Sequence, residues 1–199
     1  MTEWPVREAA PLSDESALVH AARGGDRDAF GQLYGIYARM VHGILLSRVP
    51  PAEVDDLVQD VFLQAMPRLH SLRDPSRFGA WLAAIARNRA IDYFRRGRRA
   101  AEVADPLATE NIEDRAASSA EMAQAAGALA AIQALPDAYR EPLILRLVEG
   151  MTGPEIAART GLTAGSVRVN LHRGMQQLRE KLGTSSSKVS ALDRSGESK

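Results

Sequence analysis

Arg77, Trp81, Asn88 and Arg95 are spaced so that, at about 100° per residue, they fall within roughly 40° of one another on a single helix face. A guanidinium can neutralise phosphate, an indole can stack on a base or wedge against a duplex, and an amide can read a base edge. That combination suits a nucleic-acid strand. The run Arg95-Arg96-Gly97-Arg98-Arg99 adds phosphate affinity. The plainer alternative is that Trp81 belongs to the core and the arginines only solubilise the helix.

A second constellation lies near the C-terminus. Thr152-x-x-Glu155 is a capping box that starts a helix. Ala157 is small where two helices can cross closely, and Gly161 supplies a turn residue tolerant of positive φ. Thr163 can cap the next helix, in which Val167, Leu171, Met175, Leu178 and Leu182 form a buried stripe. Ser166, Arg168, Val169, Asn170, His172 and Arg173 are left outside, as in a recognition helix entering a major groove. Arg168 and Arg173 are the best base or phosphate readers among them. A helical hairpin that binds no DNA is the alternative.

A third group is acidic. Asp55, Asp56, Gln59 and Asp60 lie opposite the apolar stripe Val54, Leu57, Val58, Val61, Phe62 and Ala65. Asp56 and Asp60 are an i,i+4 like-charge pair, unfavourable by about 0.2–0.5 kcal/mol. Such a face is either simply solvated or built to meet a basic partner.

Charge is segregated along the chain, although 25 basic and 25 acidic residues cancel overall. Residues 1–67 hold 5 basic against 10 acidic, and 68–99 hold 9 against 2, a net of +7. Residues 100–124 hold 1 against 6, a net of −5. One segment is thus suited to an anion and another to something basic. The absence of cysteine excludes disulfides, thiolate catalysis and cysteine-ligated metal. His20, His42, His70 and His172 have no ligand spacing, so neither metal nor cofactor is expected. No nucleophile–base–carboxylate set or phosphate loop can be assembled, which argues against an enzyme. The N-terminus lacks a secretory h-region and no apolar run reaches about 18 residues, so no membrane segment is expected and the cytoplasm is the default location.

The elements that must position these groups are all helical. Ser13 starts a helix that stops at Gly24-Gly25, and a second runs from Asp26 to about Arg48, ended by Pro50-Pro51. A third runs from Ala52 to about Met66, and Asp74-Pro75 caps a fourth that runs to about Arg99. Residues 100–119 read as an acidic linker able to reach about 65–70 Å when extended. An alanine-rich helix over 120–134, one ending near Glu149, and two over 153–160 and 164–182 follow. Pro142 implies that its helix starts late or kinks, since an interior proline costs about 3 kcal/mol. The Ser-rich stretch 184–199 reads as a disordered tail.

Three stretches in this order, DDLVQDVFLQA (55–65), FGAWLAAIARNRAIDYFRR (78–96) and LPDAYREPLILRLVEGMTGPEIAARTGLTAGSVRVNLHRGMQQLREKL (135–182), resemble the extracytoplasmic-function group of bacterial RNA polymerase sigma factors. The resemblance spans about 14–183. It implies an all-α, non-enzymatic protein with two small helical domains: region 2 over 14–99 and region 4, a helix-turn-helix, over 120–183, joined by the flexible linker. It implies as partners core RNA polymerase (the β′ clamp helices and the β flap), promoter DNA and an anti-sigma factor. By that resemblance Asp55, Asp56, Gln59 and Asp60 meet the clamp helices. Arg77, Trp81, Asn88 and Arg95, with Arg73 from the loop Ser71–Arg77 that pockets a flipped base, open and read the −10 element. Ser166, Arg168, Val169, His172 and Arg173 read the −35 element. Pro154 stands where many relatives carry a bulkier or acidic residue, in a first turn that tolerates it. Val169 stands where a small polar residue is common, which bears on promoter preference. The linker acids either keep that segment solvated or stand in for RNA in a basic polymerase channel. Two other readings compete. An ordinary helix-turn-helix regulator needs neither the basic nor the acidic helix. A mimic that only titrates an anti-sigma factor needs no intact base-reading residues.

Overall fold

Glycines and short polar caps divide the N-terminal half. In the computed structural model, residues 12–103 and 120–193 are described, with side chains over 15–98 and 122–183. Helix α1 (Leu12–Arg23) stops at the Gly24-Gly25 pair, where Gly25 adopts φ +95°. Asp26 accepts from the amides of Asp28 and Ala29 and so starts α2 (Arg27–Leu46). Pro51–Glu53 form a 3-10 turn into α3 (Val54–Arg68). Leu69–Ser71 form another such turn, and Asp74 accepts from the amide of Ser76 ahead of a third, Pro75–Arg77, which feeds α4 (Phe78–Val103).

The expected stripe of α3 is buried in full: Val54, Leu57, Val58, Val61, Phe62 and Ala65. Phe62 packs edge-on to Phe30 at 6.3 Å and against Tyr34 at 4.5 Å, tying α3 to α2. Tyr37 meets Phe78 at 5.1 Å, tying α2 to the start of α4. Its buried hydroxyl donates to Glu15 of α1 at 2.7 Å, and burial followed by that carboxylate raises its pKa well above the usual phenol value.

The C-terminal half comprises α5 (Ala120–Gln133), α6 (Asp137–Leu147), α7 (Gly153–Thr160) and α8 (Ala164–Asp193). No strand occurs among the described residues. Helix α6 begins at Asp137, so it does not start late, and Pro142 sits inside it, buried with Leu143, Ile144 and Leu145. Packing of that apolar run outweighs the missing amide donor. Leu182, expected in the buried stripe of α8, is 43% exposed because the stripe outruns the helices beneath it. Helix α4 continues four residues into the segment assigned to the linker, and α8 continues ten residues past 183 into the segment read as a disordered tail. Neither extension meets a proline, and its residues tolerate helix. Positions 104–119, the rest of the linker, and 194–199 lie outside the described residues.

The two halves do not stand apart. Their apolar side chains form one continuous buried cluster. Glycines allow the close approach. A Cβ on Gly79 of α4 would lie 2.6 Å from the carbonyl oxygen of Arg159 in α7, and one on Gly161 would lie 2.7 Å from the Cβ of Ala80. Gln133 donates to the carbonyl of Leu46 at 2.7 Å, and Arg159 to that of Ile36 at 3.2 Å.

Candidate nucleic-acid interface

Helix α4 carries three faces. Phe78 and Leu82 point into the N-terminal core, with Ile85 and Tyr93 half-buried at its margin. Gly79, Ala80 and Arg87 meet the C-terminal half. Arg77, Asn88 and Arg95 remain exposed on the third face. Trp81, expected on that exposed face, is half-buried, its ring 5.8 Å from that of Phe78. The indole is therefore held by the core and still reaches the surface. Arg95 pairs with Asp92 at 2.8 Å in an exposed i,i+3 contact, which is weak and easily exchanged for phosphate.

At the N-terminal end of this face lies a cavity of about 380 Å³, lined by Ser71, Leu72, Arg73, Asp74, Arg77, Ala80 and Trp81. That volume falls at the small end of ligand pockets, about 300–1,000 Å³. Asp74 is fixed in its rim, accepting from the Ser76 hydroxyl at 2.6 Å and the Ser76 amide at 3.0 Å. Those hydrogen bonds, aided by the Arg77 charge, hold its carboxyl below the usual range. The rim is thus an anion beside two arginines, with an indole as wall: polar groups for a base edge and an aromatic face for stacking.

In the C-terminal half the capping box is complete. Thr152 Oγ1 accepts from the Glu155 amide at 3.4 Å, and Glu155 accepts from the Thr152 amide at 2.7 Å. Bonding to Thr152 depresses the Glu155 pKa. Gly161 closes α7 at φ +76°, and Thr163 accepts from the Ser166 amide to start α8. Val167 is buried, while Ser166, Arg168, Val169, His172 and Arg173 are exposed on the outer side of α8.

Asp55, Asp56 and Gln59 are exposed on α3, and Asp60 is half-buried. Asp60 is bound by Arg89 of α4, a side chain only 8% exposed. Asp55 and Gln59 open onto a cleft of about 490 Å³ shared with Arg39, His42 and Glu149. No motif in the sequence marks Arg89 or the charges that join the two halves. Interior glycines were the available signal: Gly43 and Gly79 each cost a helix about 1 kcal/mol, which marks close approach.

Comparison with known proteins agrees with this geometry. Residues 33–100 match the Sigma-70 region 2 model and 127–178 match the Sigma-70 region 4 model. The chain is 34% identical over 162 residues to RNA polymerase sigma factor CarQ of Myxococcus xanthus, covering 81% of this chain and 93% of that one. It is 32% identical to the ECF RNA polymerase sigma-E factor of Escherichia coli strain K12, covering 86% and 95%. Among solved structures it is similar to CnrH in complex with the cytosolic domain of CnrY, with a TM-score of 0.58, 29% identity, and 85% and 97% of the two chains covered. Two helical units of these types in this order, with such relatives over almost their whole length, place the chain in the extracytoplasmic-function group of RNA polymerase sigma factors, the initiation factors that direct polymerase to promoters.

Proposed function

We propose that α3 docks this sigma factor on the β′ clamp helices of core polymerase through Asp55, Asp56, Gln59 and Asp60. Region 4 adds a contact to the β flap. The α4 face of Arg77, Trp81, Asn88 and Arg95, with Arg73 beside the cavity, opens and reads the −10 element. The outer face of α8, through Ser166, Arg168, Val169, His172 and Arg173, reads the −35 element. The observation that carries this reading is the cavity at Ser71–Trp81. It lies at the end of an exposed Arg/Asn face and is walled by an indole, so a base unstacked from the duplex has somewhere to go. Such factors carry no chemistry of their own, and polymerase supplies the reaction. We infer an anti-sigma factor as the further partner; CnrH, to which this chain is similar, is itself seen in complex with a second protein, the cytosolic domain of CnrY. Among the described residues no helix is long and apolar enough to cross a membrane.

The test is reconstitution with core polymerase followed by genome-wide mapping of transcription starts. Trp81→Ala and Asn88→Ala are expected to keep core binding and lose reactivity of unpaired thymines to permanganate near those starts. Normal melting by both variants, with unchanged −10 preference, would remove α4 from this role.

A further inference from the structure

Two acidic side chains of the C-terminal half, Glu141 and Glu149, are 4% and 7% exposed. Both are held by cations of the N-terminal half. Glu141 accepts from Arg87 at 2.6 and 3.0 Å and from Arg48 at 3.2 Å. Glu149 shares a hydrogen bond of 2.7 Å with His42 Nδ1 and lies 3.7 Å from Arg39 Nε, and Arg39 also donates to its carbonyl. Three arginines and His42, from α2, its C-terminal end and α4, thus form a basic strip whose anions are supplied by the other half of the same chain.

This contact is incompatible with the promoter-bound arrangement. Elements named −35 and −10 lie about 25 base pairs apart, on the order of 80 Å at 3.4 Å per pair. Here Gly161 at the helix-turn-helix turn touches Ala80 beside the −10 cavity. The halves must part, and Glu141 and Glu149 leave with region 4. Arg48 Nε is already buried without a partner. Parting the halves takes the carboxylate from Arg48 and Arg87 and returns both guanidiniums to solvent as unpaired, accessible cations. They are then free to bind another anion in place of the carboxylates.

We propose that Arg39, His42, Arg48 and Arg87 form a second phosphate-binding surface of region 2, masked in this closed arrangement by Glu141 and Glu149 and uncovered for DNA when region 4 departs. DNA is the polyanion at hand, because Arg87 adjoins Asn88 on α4 and its face lies roughly 100° around the helix from the strand-reading one. The inference rests on the proposed function, since it is promoter spanning that parts the halves.

The full-length chain tests it without polymerase or promoter. The probe is a fluorescein-labelled duplex of unrelated sequence, read by anisotropy over a salt series. Glu141→Gln with Glu149→Gln is expected to bind about tenfold more tightly than the wild type, as a masked competent state becomes populated. The salt slope should steepen by about two to three, as that many extra phosphates are neutralised. Adding Arg48→Gln and Arg87→Gln should return affinity and slope to the wild-type values. No gain in the double variant overturns the proposal, as does a gain that survives loss of both arginines. Displacement by polyglutamate as effective as by unlabelled DNA of equal charge would assign the strip to an acidic polypeptide instead. Should circular dichroism show the double variant unfolded, Glu149→Gln alone carries the comparison, with a smaller gain expected and no gain counting against. Failure of the wild type to program core polymerase would sink the proposed function and leave this result standing.

Discussion

On α3, four neighbouring polar residues have different surroundings. Asp56 is exposed, whereas Asp60 is bound by Arg89, so the repulsion expected between these two carboxylates is relieved by a guanidinium. Asp56→Arg should therefore abolish pull-down of core polymerase with a stability change under about 0.5 kcal/mol, as for other exposed positions. Asp60→Arg should also lose docking but destabilise the fold by roughly 1–3 kcal/mol, because it faces Arg89, whose Nε and Nη1 are already buried without partners. A thermal melt beside the pull-down separates the two effects, and equal melting temperatures would count against the Arg89 argument. On α8, Arg168→Ala should cost about 1–3 kcal/mol at the preferred promoter and relax discrimination at one base, whereas Arg173→Ala weakens all sequences alike if it holds phosphate. A promoter-variant library reads out both, and an unchanged base profile with unchanged affinity would remove Arg168 from base reading.

Helical glycines in this protein fall into two kinds. Gly31 of α2 is exposed with nothing near a would-be Cβ, while Gly79 of α4 lies against the backbone of α7 and the ring of Tyr37. Gly31→Ala should stabilise by up to about 1 kcal/mol through helix propensity alone, raising Tm by about 2–4 °C for a chain of this size. Gly79→Ala should lower stability by about 1–3 kcal/mol, since the added methyl meets a carbonyl that can move only with its helix. Differential scanning calorimetry distinguishes the two. Equal shifts of the same sign would show that the close approach of α4 and α7 is not maintained in solution.

At the scale of the molecule, the contact between halves depends on pH through His42. Hydrogen bonding to Glu149 raises its pKa against the opposing effect of burial, with further help from the charges of Glu149 and Asp55, while Arg39 is the neighbouring cation. A histidine whose pKa is raised on closure favours the closed form fully below its free value of 6.5 and loses that contribution as pH rises through the raised value. The separation of the halves should therefore increase with pH above about 6.5. Because the chain has no native cysteine, dyes at introduced cysteines replacing Arg68 and Arg179 can report it by energy transfer. His42→Gln should flatten the profile. A pH response that persists in that variant would transfer the effect to another group.

The sequence alone determined the helical class, the order of the units and most of the exposed residues proposed to face DNA. Each of those rests on local rules: the period of α3's apolar stripe, the Thr152–Glu155 capping box, the positive φ that Gly161 permits, and the Arg/Trp/Asn spacing of α4. Such rules act over one or two turns, so they can be read from neighbours in the chain. Tertiary structure decided what those rules cannot reach. It seated Trp81 half in the core, bound Asp60 to Arg89, and brought Glu141 and Glu149 onto basic side chains 54 to 110 residues away in sequence. Nothing in the pattern of a single helix specifies such pairs, because they depend on how two helical units, each with its own periodicity satisfied, lay their remaining faces together. Only interior glycines hinted at that contact, and a missing side chain marks a close approach without naming its partner.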